Sequence, residues 1–195
     1  MVKPLPEHAM HGIIFAELKK FVHARLPPGA WEHIAARAGI ARLSNLASEV
    51  YPDEELVALV SAAVDLSGVP APTLLEQFGE FIVPDLLKVY GGFVNRRWTA
   101  LDLLANTESV IHRAVRLRDP RATPPELRIA RLTPSAVIIT YTSPRRLCAL
   151  AKGLIRGVGR HYEEELAIEE TSCMHAGAGA CTLVATRIDQ AEGAA

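Results

Sequence analysis

The chain is predicted to adopt an α+β fold: a helical N-terminal part packed on a C-terminal antiparallel sheet, with one helix between the two sheet hairpins. Two observations predict it. Apolar residues recur at helical spacing through about residue 117, and from residue 126 the pattern changes to alternating or β-branched runs. Ile14, Leu18, Phe21 and Val22 place a helix over 11–26, which Pro27-Pro28-Gly29 ends. A short helix over about 30–38 turns Trp31 and Ile34 inward. Asp53, a good N-cap, opens a third through Leu56, Val57, Val60 and Val64 up to the break at Gly68-Val69-Pro70. The amphipathic stretch 73–93 is expected in two pieces because Pro84 interrupts it. A long helix over 99–117 closes at Asp119-Pro120.

Glu126–Leu132 and Ala136–Thr142, joined by Thr133-Pro134-Ser135, form a hairpin. Ser143 as N-cap and Pro144 at the first helical position start a helix reaching about Tyr162. Leu166–Thr171 and Thr182–Ile188 complete the strands. Residues 1–9 are a leader without periodicity, 10–188 the folded domain and 189–195 a tail; Met10 is a second possible start.

Composition removes several function classes. Lys+Arg 21 against Asp+Glu 22 leaves a formal charge of -1, so no global basic field attracts nucleic acid. Aromatic residues at 6% do not supply base-stacking platforms. The apolar opening Ile13–Ala16 is broken by Glu17, Lys19 and Lys20, too short for a signal core, and no run approaches a membrane span. A cytoplasmic protein with no membrane partner is expected. Three cysteines do not read as a secreted disulfide framework. GxGxxG, the P-loop, GxSxG and HExxH are all missing, no carboxylate pair suggests acid–base catalysis, and an enzyme is not expected.

Three features carry chemistry. His112 shares a stripe with Leu101, Leu104, Ala105, Ile111 and Val115, so it points inward from an apolar face. It is either a core histidine satisfied by a backbone carbonyl or a ligand to a metal or haem iron. Tyr141-Thr142-Ser143-Pro144-Arg145 brings a phenol, a hydroxyl and a guanidinium to a helix start, which reads either as an anion site or as a plain N-cap with an exposed arginine. Cys148, Cys173, His175 and Cys181 offer three thiols and an imidazole, the donors of a Cys3His zinc site. A buried free Cys148 and a redox-active Cys173–Cys181 pair are the other readings.

Together these residues resemble the H-NOX family, the haem nitric oxide/oxygen-binding module also found in soluble guanylate cyclase. Met10-His11-Gly12-Ile13-Ile14 is similar to the family's M-x-G-x-[IV] opening. His112 falls at the haem-ligand position, Ala122-Thr123-Pro124-Pro125 matches the stretch whose last proline bends the haem, and Tyr141-x-Ser143-x-Arg145 matches the Y-x-S-x-R motif for the haem propionates. His112 stands 29 residues before Tyr141, as in the family, and the resemblance covers residues 10–188. It implies haem b between the helical part and the sheet, with His112 on the iron and Tyr141, Ser143, Arg145 and Pro125 around the porphyrin. It also implies zinc at Cys148, Cys173, His175 and Cys181, as in a bacterial subset, although here Ala176-Gly177-Ala178-Gly179 replaces a turn that is often acidic in relatives.

The expected function is a nitric oxide sensor. Nitric oxide on ferrous iron weakens the bond to His112, and the released helix signals to a separate chain; the family implies a sensor histidine kinase or a cyclic-di-GMP enzyme. Carbon monoxide is expected to bind and oxygen not to. The tyrosine that stabilises oxygen in some relatives lies nine residues after the motif tyrosine; here that residue is Leu150, and the other distal positions are read as Ile14, Leu18, Ile82 and Leu86. A thiol/zinc redox sensor and a haem-free interaction module are the rival functions, with a peroxidase a distant third.

Overall fold

The computed structural model describes residues 9–41 and 46–188. Of the expected leader and tail, residues 1–8 and 189–195 lie outside the described residues, while Ala9 belongs to a strand. The elements run β1 (Ala9–His11), α1 (Gly12–Arg25), α2 (Ala30–Arg37), β2 (Val50–Pro52), α3 (Asp53–Ser67), α4 (Ala71–Tyr90), α5 (Ala100–Asn106), a π-turn (Thr107–His112), α6 (Arg113–Arg118), β3 (Glu126–Thr133), β4 (Ala136–Thr142), α7 (Cys148–His161), β5 (Leu166–Ser172) and β6 (Cys181–Arg187). The expected α+β architecture is present. The larger sheet is antiparallel throughout, in the order β3-β4-β6-β5. Its first hairpin pairs Glu126 with Thr142 and Ile129 with Ile139, and a register shift falls between Arg131 and Thr133. Among the described residues no single helix is long and apolar enough to cross a membrane.

Among the described residues two large apolar cores follow from the two parts of the chain, with a smaller buried cluster of Tyr141, Cys148, Met174 and Cys181 besides. Phe15, Phe21, Trp31, Ile34, Leu56, Leu59, Phe78 and Ile82 knit α1–α4 together. Leu101, Val137, Ile139, Ile155, Leu183 and Ala185 join α5 and α7 to one face of the sheet. Helix α4 serves both, with Ile82 in the first core and its neighbour Val83 in the second. Its contact with α7 is close, since a Cβ built on Gly153 would sit 2.1 Å from the Glu76 carbonyl oxygen. Ion pairs of Glu76 with Lys152 (3.3 Å) and Arg156, and of Glu80 with Arg160, flank this seam.

Four expectations about elements are corrected. Helix α4 is one helix: Pro84 lies inside it, because apolar residues buried on either side of it (Phe78, Ile82, Tyr90) hold the segment against a local cost of about 3 kcal/mol. The Glu80 carbonyl, which Pro84 leaves without its N–H partner, faces Gly157 of α7, where a Cβ would come within 2.9 Å of it. The long helix over 99–117 is instead α5, a π-turn and α6. Ser143 does not cap α7. Its hydroxyl accepts the Arg145 N–H at 3.3 Å inside a turn closed by Arg146 N–H to Ser143 C=O, and Arg146, at φ 51°, delays the helix to Cys148. Asp53 is the first residue of α3 rather than its cap, because Arg145 takes its carboxylate. The β1–β2 ribbon, pairing Met10 with Tyr51, was not expected: three-residue strands are too short to show a period.

His11 caps α1, its ring Nδ1 accepting the Ile13 N–H at 3.3 Å. Burial lowers the pKa of this ring from 6.5, with Asp119 opposing and Arg118 and Arg121 assisting. Only the neutral ring can accept at Nδ1. The unfolded chain therefore takes up a proton that the folded ring resists. The resulting stability is present above pH 6.5 and is lost as pH falls through the lower folded value. His11→Asn keeps an acceptor that does not titrate. Urea unfolding at pH 7 and pH 5 should show the original protein losing about 1 kcal/mol more than the variant, the worth of one cap.

Candidate ligand cavity and cysteine cluster

Between α1, α4, the π-turn, the β3–β4 hairpin and α7 the fold encloses a cavity of about 270 Å3 with predominantly aliphatic walls. His112, Pro125, Tyr141, Arg145, Ile14, Leu86 and Leu150 all face it. Three of the expected residues do not. Leu18 and Ile82 are buried in the α1–α4 core, because their helices turn those positions toward Phe21 and Phe78, and the wall is made instead by Ile13, Val83 and Leu87. Ser143 is buried behind Tyr141. Sequence reasoning also missed His11, Tyr90 and Thr123, wall residues whose place depends on contacts between distant segments.

His112 ends the π-turn, a helix variant that widens one turn and is frequent at functional sites. Its side chain is 14% exposed, and its Nδ1 lies 2.8 Å from Oε2 of Glu108. The carboxylate is its stronger partner, and the Pro125 backbone, a partner of the kind considered from sequence, also interacts with the ring. The pKa of the ring is lowered, burial first, against the pull of Glu108. Burial thus favours the neutral form that metals bind.

Tyr141 is buried, which raises its pKa, and its phenol oxygen accepts the Leu147 N–H at 3.2 Å. The Arg145 guanidinium is held by three elements rather than exposed: Nε donates to Asp53 at 2.6 Å, Nη1 to the Thr123 carbonyl at 2.6 Å, and Nη2 to Thr123 Oγ1 at 2.7 Å and the Ala9 carbonyl at 3.0 Å. An anion at this end of the cavity would therefore meet a phenol and a fixed guanidinium whose charge is paired with Asp53, and not the open helix N-terminus expected from Ser143-Pro144. Aliphatic walls, an imidazole favoured neutral, and an end that carries a guanidinium and a phenol are a donor set that suits haem, and the residues fit it.

The second constellation lies where α7 meets the β5–β6 hairpin. Cys148 Sγ is 3.8 Å from Cys173 Sγ, which is 3.9 Å from Cys181 Sγ, and none is in a disulfide. A tetrahedral metal with bonds of about 2.3 Å places its sulfurs about 3.8 Å apart. The fourth donor beside them is a carboxylate oxygen of Glu170, all four ligand atoms lying within 4.8 Å of one another. Oε1 of Glu170 is buried with no hydrogen-bond partner. His175, the expected fourth ligand, is not in the group: the turn after Cys173 swings its ring outward, and Nε2 lies 2.8 Å from the Arg146 carbonyl. Burial, then the neighbouring thiols, push the Cys148 thiol up to about 12, so a metal would have to displace protons here.

The family model described as haem-NO-binding matches residues 11–170. The chain belongs to the haem-NO-binding family. The H-NOX protein from S. oneidensis in the Fe(II)NO state is similar to it at 26% identity and a TM-score of 0.86, over 92% of this chain and 100% of that one. The H-NOX domain of Shewanella oneidensis in the Fe(II)CO state matches at 25% identity and a TM-score of 0.83, over 93% of this chain and 100% of that one. The unliganded Fe(II) H-NOX protein from K. algicida shares the fold, with a TM-score of 0.84 at 20% identity over 93% and 98% of the two chains. No functionally curated protein matches the sequence. Membership of the H-NOX family, whose members bind haem, supports a haem-based gas sensor.

Proposed function

We propose that this H-NOX chain senses nitric oxide through haem b held by His112. The observation that carries the reading is a buried histidine, favoured neutral, in the wall of an apolar cavity whose other end carries Arg145 and Tyr141. When bound, haem would supply a ferrous iron able to take nitric oxide or carbon monoxide. His112 would offer Nε2, since Nδ1 is engaged by Glu108. Arg145 and Tyr141 would hold the propionates, with Ser143 supporting the phenol from behind, and Pro125 would press on the porphyrin. A change at the iron would enter the polypeptide at the π-turn, whose mismatch with α5 and α6 makes it the segment of the helix readiest to rearrange. That movement would reach a separate signalling chain, of the sensor histidine kinase or cyclic-di-GMP enzyme class, and no catalysis by this chain is required.

Ile13, Ile14, Leu86 and Leu150, taken as the wall over the iron, offer no hydrogen-bond donor, and oxygen needs one where nitric oxide does not; in this reading the cavity's donors, among them Tyr90 and Thr107, stand away from the gas ligand. The test is the absorption spectrum of the reduced protein. Nitric oxide and carbon monoxide should each shift the Soret band. Air alone should leave it unchanged or drift it slowly toward the oxidised form. No Soret band after haem loading, or a stable new spectrum in air, would overturn the reading.

We also propose a zinc ion at Cys148, Cys173 and Cys181. His175 was the fourth ligand expected from the family, but Glu170 is the donor that stands in the group. Elemental analysis of protein prepared under reducing conditions should find one zinc per chain. Zinc lost in Glu170→Gln and kept in His175→Ala would assign the fourth ligand. The close thiols support a second reading, in which oxidation expels the zinc and changes the same surface; zinc content before and after mild oxidation separates the two.

A further inference from the structure

Glu108 precedes His112 by four residues and lies in the same π-turn. Its carboxylate is held on three sides. Oε2 is 2.8 Å from His112 Nδ1 and also accepts the Leu127 N–H of β3 at 3.3 Å, while Oε1 is paired with Arg116. A carboxylate can only accept, and its pull on the ring exceeds that of the Pro125 backbone, so this contact places the proton of a neutral His112 on Nδ1 and leaves the lone pair on Nε2. A charged acceptor polarises that N–H more than a carbonyl would, and makes Nε2 a stronger donor to whatever it binds. Arg116 balances the charge on the other oxygen, and Leu127 ties the carboxylate to the sheet.

We propose that Glu108 is a positioning residue for the iron ligand: it sets the tautomer of His112, strengthens its bond to haem iron, and so raises the threshold at which nitric oxide releases it. This rests on His112 as the ligand. A stronger donor favours ferric over ferrous iron, so the same contact lowers the midpoint potential. Through the Leu127 N–H, Glu108 also links any movement of the π-turn to strand β3.

The experiment compares the haem-loaded protein with E108Q, which keeps the shape but not the charge, and E108A, which keeps neither. Resonance Raman of the ferrous, ligand-free protein reads the iron–histidine stretch, and redox titration reads the midpoint potential. The stretch should fall, and the potential rise, from the original protein to E108Q and further to E108A. In the haem-free protein, 15N NMR should find the His112 proton on Nδ1, and E108A should move population to Nε2. Haem bound through His112 with stretch and potential unchanged in both variants overturns the proposal and leaves the function standing. Variants that lose haem occupancy while the loaded fraction keeps its stretch and potential make Glu108 merely structural, and overturn it too. Failure of the original protein to bind haem through His112 removes both readings.

Discussion

His112→Gly should weaken haem binding by more than about 100-fold, because outer-shell partners alone are worth 10–100-fold at metal sites and this change removes the ligand itself. Imidazole added to the variant should restore the spectrum, since the truncated side chain leaves space in a wall that is otherwise intact. The fold should survive: His112 closes a π-turn and is not one of the deeply buried residues of either core. Haem content measured with and without imidazole checks this, and His112→Ala with full haem and an unchanged spectrum would refute the assignment.

Gly153→Ala should destabilise the protein by about 2 kcal/mol or more, the range of overpacked interiors. Helix propensity alone predicts the opposite sign, a gain of about 1 kcal/mol for alanine over glycine. Contact decides the outcome: the added Cβ would lie 2.1 Å from the Glu76 carbonyl oxygen and 2.8 Å from its carbon, backbone atoms that cannot turn aside. Helices α4 and α7 would have to separate, and both line the cavity, α4 with Val83 and Leu86, α7 with Leu150 and Leu154. Gly91→Ala is the control, with φ -61° and open space around the glycine, and should change stability by less than about 0.5 kcal/mol. Urea unfolding of both variants is the measurement.

The site was legible to different depths. The i,i+4 spacings Glu108–His112 and His112–Arg116 were available as a signal for the carboxylate on the histidine, but in a regular helix such a pair is usually a surface contact. Glu170 gave no signal at all, because it sits in an alternating strand as any half-buried glutamate does. Leu18 and Ile82 were assigned to the cavity by helical spacing alone, and spacing identifies an inward face without saying which of two cores that face meets.

What the residues determine by themselves is local or strictly spaced. Helical periods, the alternation of β3–β6 and the turn chemistry of Thr133-Pro134-Ser135 identify the element types. The interval from His112 to Tyr141, with Pro125 between, identifies the family. These are legible because each rests on neighbours a few residues apart or on a fixed register. The tertiary structure decided the rest: that Pro84 stays inside α4, that the long helix carries a π-turn, that α7 starts at Cys148, that Arg145 is held by Asp53, Thr123 and Ala9, and that Glu170 joins the thiols where His175 does not. Except for the start of α7, which a tight turn at Ser143–Arg146 sets, these rest on contacts between segments far apart in the chain, and no local pattern records whether such a contact outweighs the local preference it overrides.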